Sequence, residues 1–222
     1  LNAMFAPMMV RAYSRGQLDE VEHLFQASVR WGIYLGLPVL ILSLTVPTEI
    51  MTLLFGSAYG DASLPFAILS SSQFANLASG AVGLLLVMSD QHRLWLIITF
   101  LGLLFNIGVN LLLIPMFGTT GAAIGTGTTL MLVFAGGVAA VRMRLGLWGH
   151  EAGLTKAAAI SAVAALGGAG AGLLGNGEAA ITLFLTMAAS LPIYFVLLYR
   201  FGLSQQDRVL LDRAARLILR DN

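Results

Sequence analysis

The sequence predicts an all-α polytopic transmembrane helix bundle of about six spans, and three observations carry that prediction. Hydrophobic residues make up 58% of the 222 and charged residues only 10%, with a mean hydropathy of +0.86. Ordinary globular domains are roughly a quarter charged. With 12 basic and 11 acidic side chains, a water-soluble fold of this length would be left with large bare apolar patches. The apolar residues also fall in continuous runs of the length, about 20 residues, that a helix needs to cross hydrocarbon. Because these runs do not alternate, helices rather than barrel strands must satisfy the backbone in lipid. Finally, the basic residues fall on one side of the bundle.

In chain order, the first run is Trp31 to Phe55, interrupted by Pro38 and Pro47, which permit bends. The second runs from Ser63 to Met88, and the third from Leu94 to Ile114, closed by Pro115. The fourth runs from Gly121 to Val141, the shorter fifth from Ala157 to Leu174, and the sixth from Ala179 to Tyr199. Six spans place the N-terminus, the second–third connection, the 142–156 loop and the C-terminus on one side. That side holds Arg11, Arg15, Arg30, Arg93, Arg142, Arg144, Lys156, Arg200, Arg208, Arg213, Arg216 and Arg220, all 12 basic residues. The other side holds Glu49, Asp61 and Glu178. Lys and Arg accumulate on the cytoplasmic face, so both ends are expected there. A miscounted span would scramble this partition. Residues 1–30 read as the end of a preceding helix plus a cytoplasmic segment, 31–141 as four spans, and 157–199 as a terminal pair. The chain begins at Leu1 inside an apolar stretch to Val10, which reads as the end of something longer.

Two segments are expected to lie along the cytoplasmic surface. Residues 16–30 place Leu18, Val21, Leu24 and Phe25 among Asp19, Glu20 and Glu22 at amphipathic helical spacing. In 204–221, Ser204 and Asp207 resemble a helix cap, and Leu210, Leu211, Ala214, Leu217 and Ile218 share a face. Such a helix serves either as an interfacial anchor or as a partner-binding element. Gly32 and Gly36, Gly121 and Gly125, and Gly168 and Gly172 stand at the spacing that lets helix backbones approach, and are read as packing faces.

Catalytic constellations are missing from the sequence, and no cofactor or metal site is expected. His23, His92 and His150 lie in separate segments without ligand spacing, and there is no cysteine. Neither a nucleophile elbow nor a phosphate-binding loop occurs. An enzyme is therefore not expected, nor nucleic acid as a partner. The candidate site consists of uncharged polar side chains: Ser72, Gln73 and Asn76, beside Ser70 and Ser71, in the second run, and Asn106 and Asn110 in the third. The two asparagines, four apart, share a helix face. Unsatisfied amides in hydrocarbon cost several kcal/mol. These groups therefore either bond between helices or line a wet cavity.

Particular residues then resemble a known family. Asn106-Ile-Gly-Val-Asn110-Leu-Leu-Leu-Ile-Pro115-Met-Phe-Gly118-Thr-Thr-Gly121-Ala-Ala is similar to a pattern of the bacterial polysaccharide flippases, within the multidrug/oligosaccharidyl-lipid/polysaccharide exporter superfamily. Phe5-Ala-Pro7 followed by Gly16-Gln-Leu-Asp19-Glu20, and Pro47 through Phe55-Gly56 to Tyr59, resemble two further segments in the same order. Together these cover about residues 5–126; beyond 130 the similarity is in hydropathy only. The resemblance implies the second lobe and terminal helix pair of a transporter that moves lipid-linked oligosaccharides, such as O-antigen lipopolysaccharide precursors, to the outer leaflet by alternating access in the bacterial inner membrane. The lipid bilayer and a missing N-terminal lobe are then the expected partners, since half a cavity is not expected to transport. The departure from the pattern is the whole first lobe, so no substrate-binding residue carries over. A peptidoglycan-precursor flippase, a drug exporter, an assembly subunit and a membrane polysaccharide polymerase or ligase are the competing readings. The last would need an outer loop with basic groups, which this chain lacks.

Overall fold

The computed structural model describes residues 2–149, 154–175 and 178–202. The amphipathic helix expected over 204–221 and His150 lie outside them. Among the described residues the chain is helical throughout, without a strand. Its helices are α1 (Asn2–Ser14), α2 (Leu18–Thr45), α3 (Pro47–Phe55), α4 (Ser63–Ser79), α5 (Val82–Met88), α6 (His92–Leu145), α7 (Leu154–Gly172) and α8 (Ala179–Leu197). By length and composition α2, α6 and the stretch Ala179–Arg200 could each cross a membrane, as could α4 and α5 taken together.

The helix boundaries follow from the residues that interrupt them. The first run breaks at Val46, where Pro47 opens α3 without needing the N–H it lacks. Pro38 sits inside α2 and does not end it. Gly80, at φ +65°, turns the chain between α4 and α5, which meet at 44°. Thus the second run, Ser63 to Met88, is a broken helix rather than a straight one. A similar glycine, Gly56 at φ +98°, ends α3 ahead of a 3-10 turn over Ser57–Ala62.

Although α6 is helical on both sides of Gly118, it doubles back there, because Gly118 has φ +56° and ψ −131°. The contacts give the direction of the two arms. Gly121 lies against the carbonyl of Leu113, Gly125 against Asn110, and Gly102 against Val133. Positions whose numbers rise on one arm meet positions whose numbers fall on the other, so the arms are antiparallel. Pro115 lies within the first arm rather than closing it, and the turn falls three residues later. The outer surface of this hairpin is apolar, with Leu111 72% and Leu112 70% exposed.

The segment 16–30 departs from expectation. It is not a separate surface helix, because α2 runs unbroken from Leu18 through Thr45. Gly16, at φ +72°, supplies the preceding turn, and Asp19 and Glu20 sit in the first helical turn, where the dipole favours negative charge. Val21, Phe25 and Val29 are buried in the core rather than in headgroups. Phe25 and Val29 pack against Gly80 and Gly149, so this half of α2 stands beside the α4–α5 turn and the end of α6.

The core joins Met9 and Ala12 of α1, the buried stripe of α2, Leu85 and Leu86 of α5, and Tyr194 of α8. All three paired-glycine faces pack within the molecule. Gly32 meets the Leu77 carbonyl, Gly36 meets Phe74, and Gly168 and Gly172 meet Ser190 and Thr186 across the antiparallel α7–α8 pair.

Candidate functional site

The candidate polar residues fall into two separate sets. Asn110 Nδ2 donates to Asn106 Oδ1 at 3.0 Å, Asn106 Nδ2 donates to Thr129 Oγ1 at 3.2 Å, and Thr129 donates to the Gly125 carbonyl at 2.7 Å. This relay ties the two arms of α6 together. Asn110 Oδ1 is buried without a hydrogen-bond partner, pressed against Gly125. Asn106 thus bonds between the two arms, while Asn110 bonds Asn106 on its own arm and packs against Gly125. Thr129 was not visible as their partner, because pairing across a hairpin depends on where the turn falls.

The second set lies on α4. Ser72 is fully buried, donates to the Leu69 carbonyl of its own helix, and packs near Gly127 of the second arm of α6. It belongs to the α4–α6 interface. Ser71 likewise donates to Ala67. Gln73 and Asn76 point elsewhere. Asn76 Nδ2 donates to Gln73 Oε1 at 3.4 Å, and Gln73 is exposed. Gln73 and Ser70 are the polar residues of a groove of about 380 Å³ between α2 and α4, whose other walls include Leu35, Val39, Phe66 and Leu69. Gly127 faces α4 while Gly125 and Thr129 face the first arm of α6, so α6 itself separates the two polar sets.

The motif residues are turn and packing elements. Pro7 lies in α1, where its carbonyl accepts from Arg11 Nε at 3.1 Å. Pro47 starts α3, and Phe55 and Tyr59 contact each other across Gly56 with ring centroids 5.8 Å apart. Pro115, Gly118 and Gly121 build the α6 hairpin.

One further feature stands at the end of the bundle that carries the basic residues. The Arg142 guanidinium lies 4.2 Å from the centre of the Trp148 ring. The Trp148 backbone N–H donates to Glu22 Oε1 at 3.3 Å, and its backbone carbonyl accepts from Gln26 Nε2 at 3.1 Å. The chain leaving α6 is thereby fastened to α2. Among the described residues no three His, Cys, Asp or Glu side chains converge as a metal site would require. Among the described residues the polar features are amide and hydroxyl hydrogen bonds and the Arg142–Trp148 cation–π pair.

Comparison with known proteins adds one relative. A stretch of 128 residues is 29% identical to the "Capsular polysaccharide biosynthesis protein CapF" of Staphylococcus aureus, covering 56% of this chain and 31% of that protein. The matched stretch is thus about a third of the relative's length. No family model matches the chain, and no solved structure matches it significantly. The relationship is distant, and its context is polysaccharide biosynthesis.

Proposed function

We propose that the chain forms part of a membrane transporter that moves lipid-linked oligosaccharide precursors across the bacterial cytoplasmic membrane. The observation that carries this reading is the relative named for capsular polysaccharide biosynthesis, matched by a body of long apolar helices. The resemblance of the Asn106–Gly121 segment to the flippase pattern supports it, as those residues form the closed end of a helical hairpin. In this reading the two arms of α6 are separate spans, α4 with α5 is one span, and α7 and α8 are a pair. Six crossings then put the basic residues on the cytoplasmic side.

Moving a sugar headgroup through hydrocarbon requires replacing part of its hydration. Gln73 and Asn76, with four amide N–H groups and two carbonyls between them, are the side chains placed to do so from α4. Asn106 and Asn110 hold the hairpin instead. Two lobes rocking about the site would alternate its exposure.

The test is substitution in the complete transporter. Gln73→Ala with Asn76→Ala is expected to cut surface polysaccharide and raise lipid-linked oligosaccharide on the inner leaflet, at unchanged transporter abundance. Loss of peptidoglycan precursor export would instead assign the chain to the related flippase. Polymer shortened in length, with normal precursor export, would point to the polymerase or ligase reading. Unchanged polysaccharide in a strain lacking the whole gene would end the proposal.

A further inference from the structure

A groove of about 490 Å³ runs between α4 and the second arm of α6. Its described walls are mainly apolar and largely small, including Ala75, Ala78, Ala135 and Val138 with Ser79 among them, and Arg142, beside Trp148, is the charged residue among the described lining. The charge is therefore confined to one end. That end lies at the pole of the bundle where α2 begins and α6 finishes, because Trp148 is bonded to Glu22 and Gln26.

Arg142 is exposed, and its contact here is the indole face. Among the described residues no carboxylate pairs with its guanidinium. The guanidinium lies over the Trp148 ring and is exposed, so its N–H groups are accessible to a phosphate oxygen pair. Tryptophan itself favours the membrane–water boundary, where one end of the ring is apolar and the other wet. An apolar trough that ends in an outward-facing guanidinium at that boundary complements an anionic amphiphile: chain in the trough, phosphate on the arginine.

We propose that this groove holds an acyl chain of an anionic glycerophospholipid of the cytoplasmic leaflet, with the lipid phosphate on Arg142. The inference rests on the membrane-embedded part of the reading above and is independent of the cargo.

The intact protein would be placed in nanodiscs of phosphatidylglycerol and phosphatidylcholine, then extracted and weighed by native mass spectrometry for retained lipid. Retention of phosphatidylglycerol in preference to phosphatidylcholine is expected. Arg142→Gln should lower that retention about tenfold, the loss of one charge-assisted hydrogen-bond set, while Arg142→Lys keeps most of it. A photoactivatable phosphatidylglycerol should label the unaltered protein within residues 131–142, which removes any dependence on how the variants fold. Equal retention of the two lipids, unchanged retention in Arg142→Gln, or labelling elsewhere would overturn the proposal. So would a second copy of the chain found seated in the groove. None of these outcomes bears on whether sugar-lipid is transported, which the export assay reads separately.

Discussion

The hydroxyl of Tyr194 donates to the backbone carbonyl of Tyr34 at 3.0 Å, and Tyr34 is the residue whose helical partner Pro38 cannot supply. In a helix the carbonyl of residue 34 accepts from the N–H of residue 38, and proline has none. Tyr194, fully buried on α8, provides the missing donor from another helix. A proline inside a span is tolerated when a neighbour satisfies the freed backbone group in this way. Tyr194→Phe should therefore destabilise the protein by about 1–2 kcal/mol. In a Pro38→Ala background, where α2 supplies its own donor, the same change should cost much less. Thermal unfolding of the four proteins in detergent gives the double-mutant cycle. Equal costs in both backgrounds would mean that the proline and the tyrosine are not coupled.

Asn110 and Gly125 set the spacing of the α6 hairpin. A methyl at position 125 would overlap the Asn110 side-chain oxygen, with Val109 also within 3.3 Å. Gly125→Ala is expected to destabilise by about 1–3 kcal/mol, the usual cost of overpacking a close interface. Adding Asn110→Ala should recover part of that loss despite removing a hydrogen bond, since such bonds in membranes average only about 0.6 kcal/mol. An additive double mutant would show that the clash lies elsewhere.

Gly32 and Gly36 belong to the same paired-glycine face, yet they should respond differently. A Cβ at Gly32 runs into the backbone carbonyl of Leu77, which cannot move without shifting α4. At Gly36 it meets only side-chain atoms of Leu77 and Phe74, at 3.0 Å. Gly32→Ala should therefore lower the unfolding temperature clearly. Gly36→Ala should lower it little, because the helix propensity gained, about 1 kcal/mol, offsets the side-chain adjustment. Equal sensitivity at both positions would refute the close approach at Gly32.

The helices were legible in the sequence because apolar runs and their punctuation are local. Pro47 and the interval between Pro115 and Gly121 each mark a real turn, whereas Gly80 breaks a run that reads as continuous. What sequence periodicity could not supply was the partner of each face. Asn106 and Asn110 were readable as sharing a face, but Thr129 was not readable as what that face meets. Ser72 and Gln73 are neighbours in a polar cluster that reads as one site. Successive helix positions are 100° apart, and the structure turns Ser72 into the α4–α6 contact and Gln73 into the α2–α4 groove. The 16–30 segment shows the same limit. Its carboxylates suggested a surface helix, while the burial of Val21, Phe25 and Val29 comes from helices far away in sequence.

In the proposed membrane arrangement, the fold of α6 decides the number of crossings. As a straight rod its 54 residues would be about 80 Å long, far beyond a hydrocarbon core of about 30 Å. Doubling back at Gly118 gives two arms of spanning length, with Thr119 at the closed end and Met143 at the open end. Both side chains are exposed, and the protein has no cysteine to confuse a labelling experiment. In intact cells, Thr119→Cys should react with a membrane-impermeant maleimide. Met143→Cys should react only after the membrane is opened, because the proposed topology puts Arg142 and Arg144 beside it on the cytoplasmic side. If both cysteines are labelled from the same side, α6 is not a pair of spans. The partition of all 12 basic residues to one face would then lose its explanation.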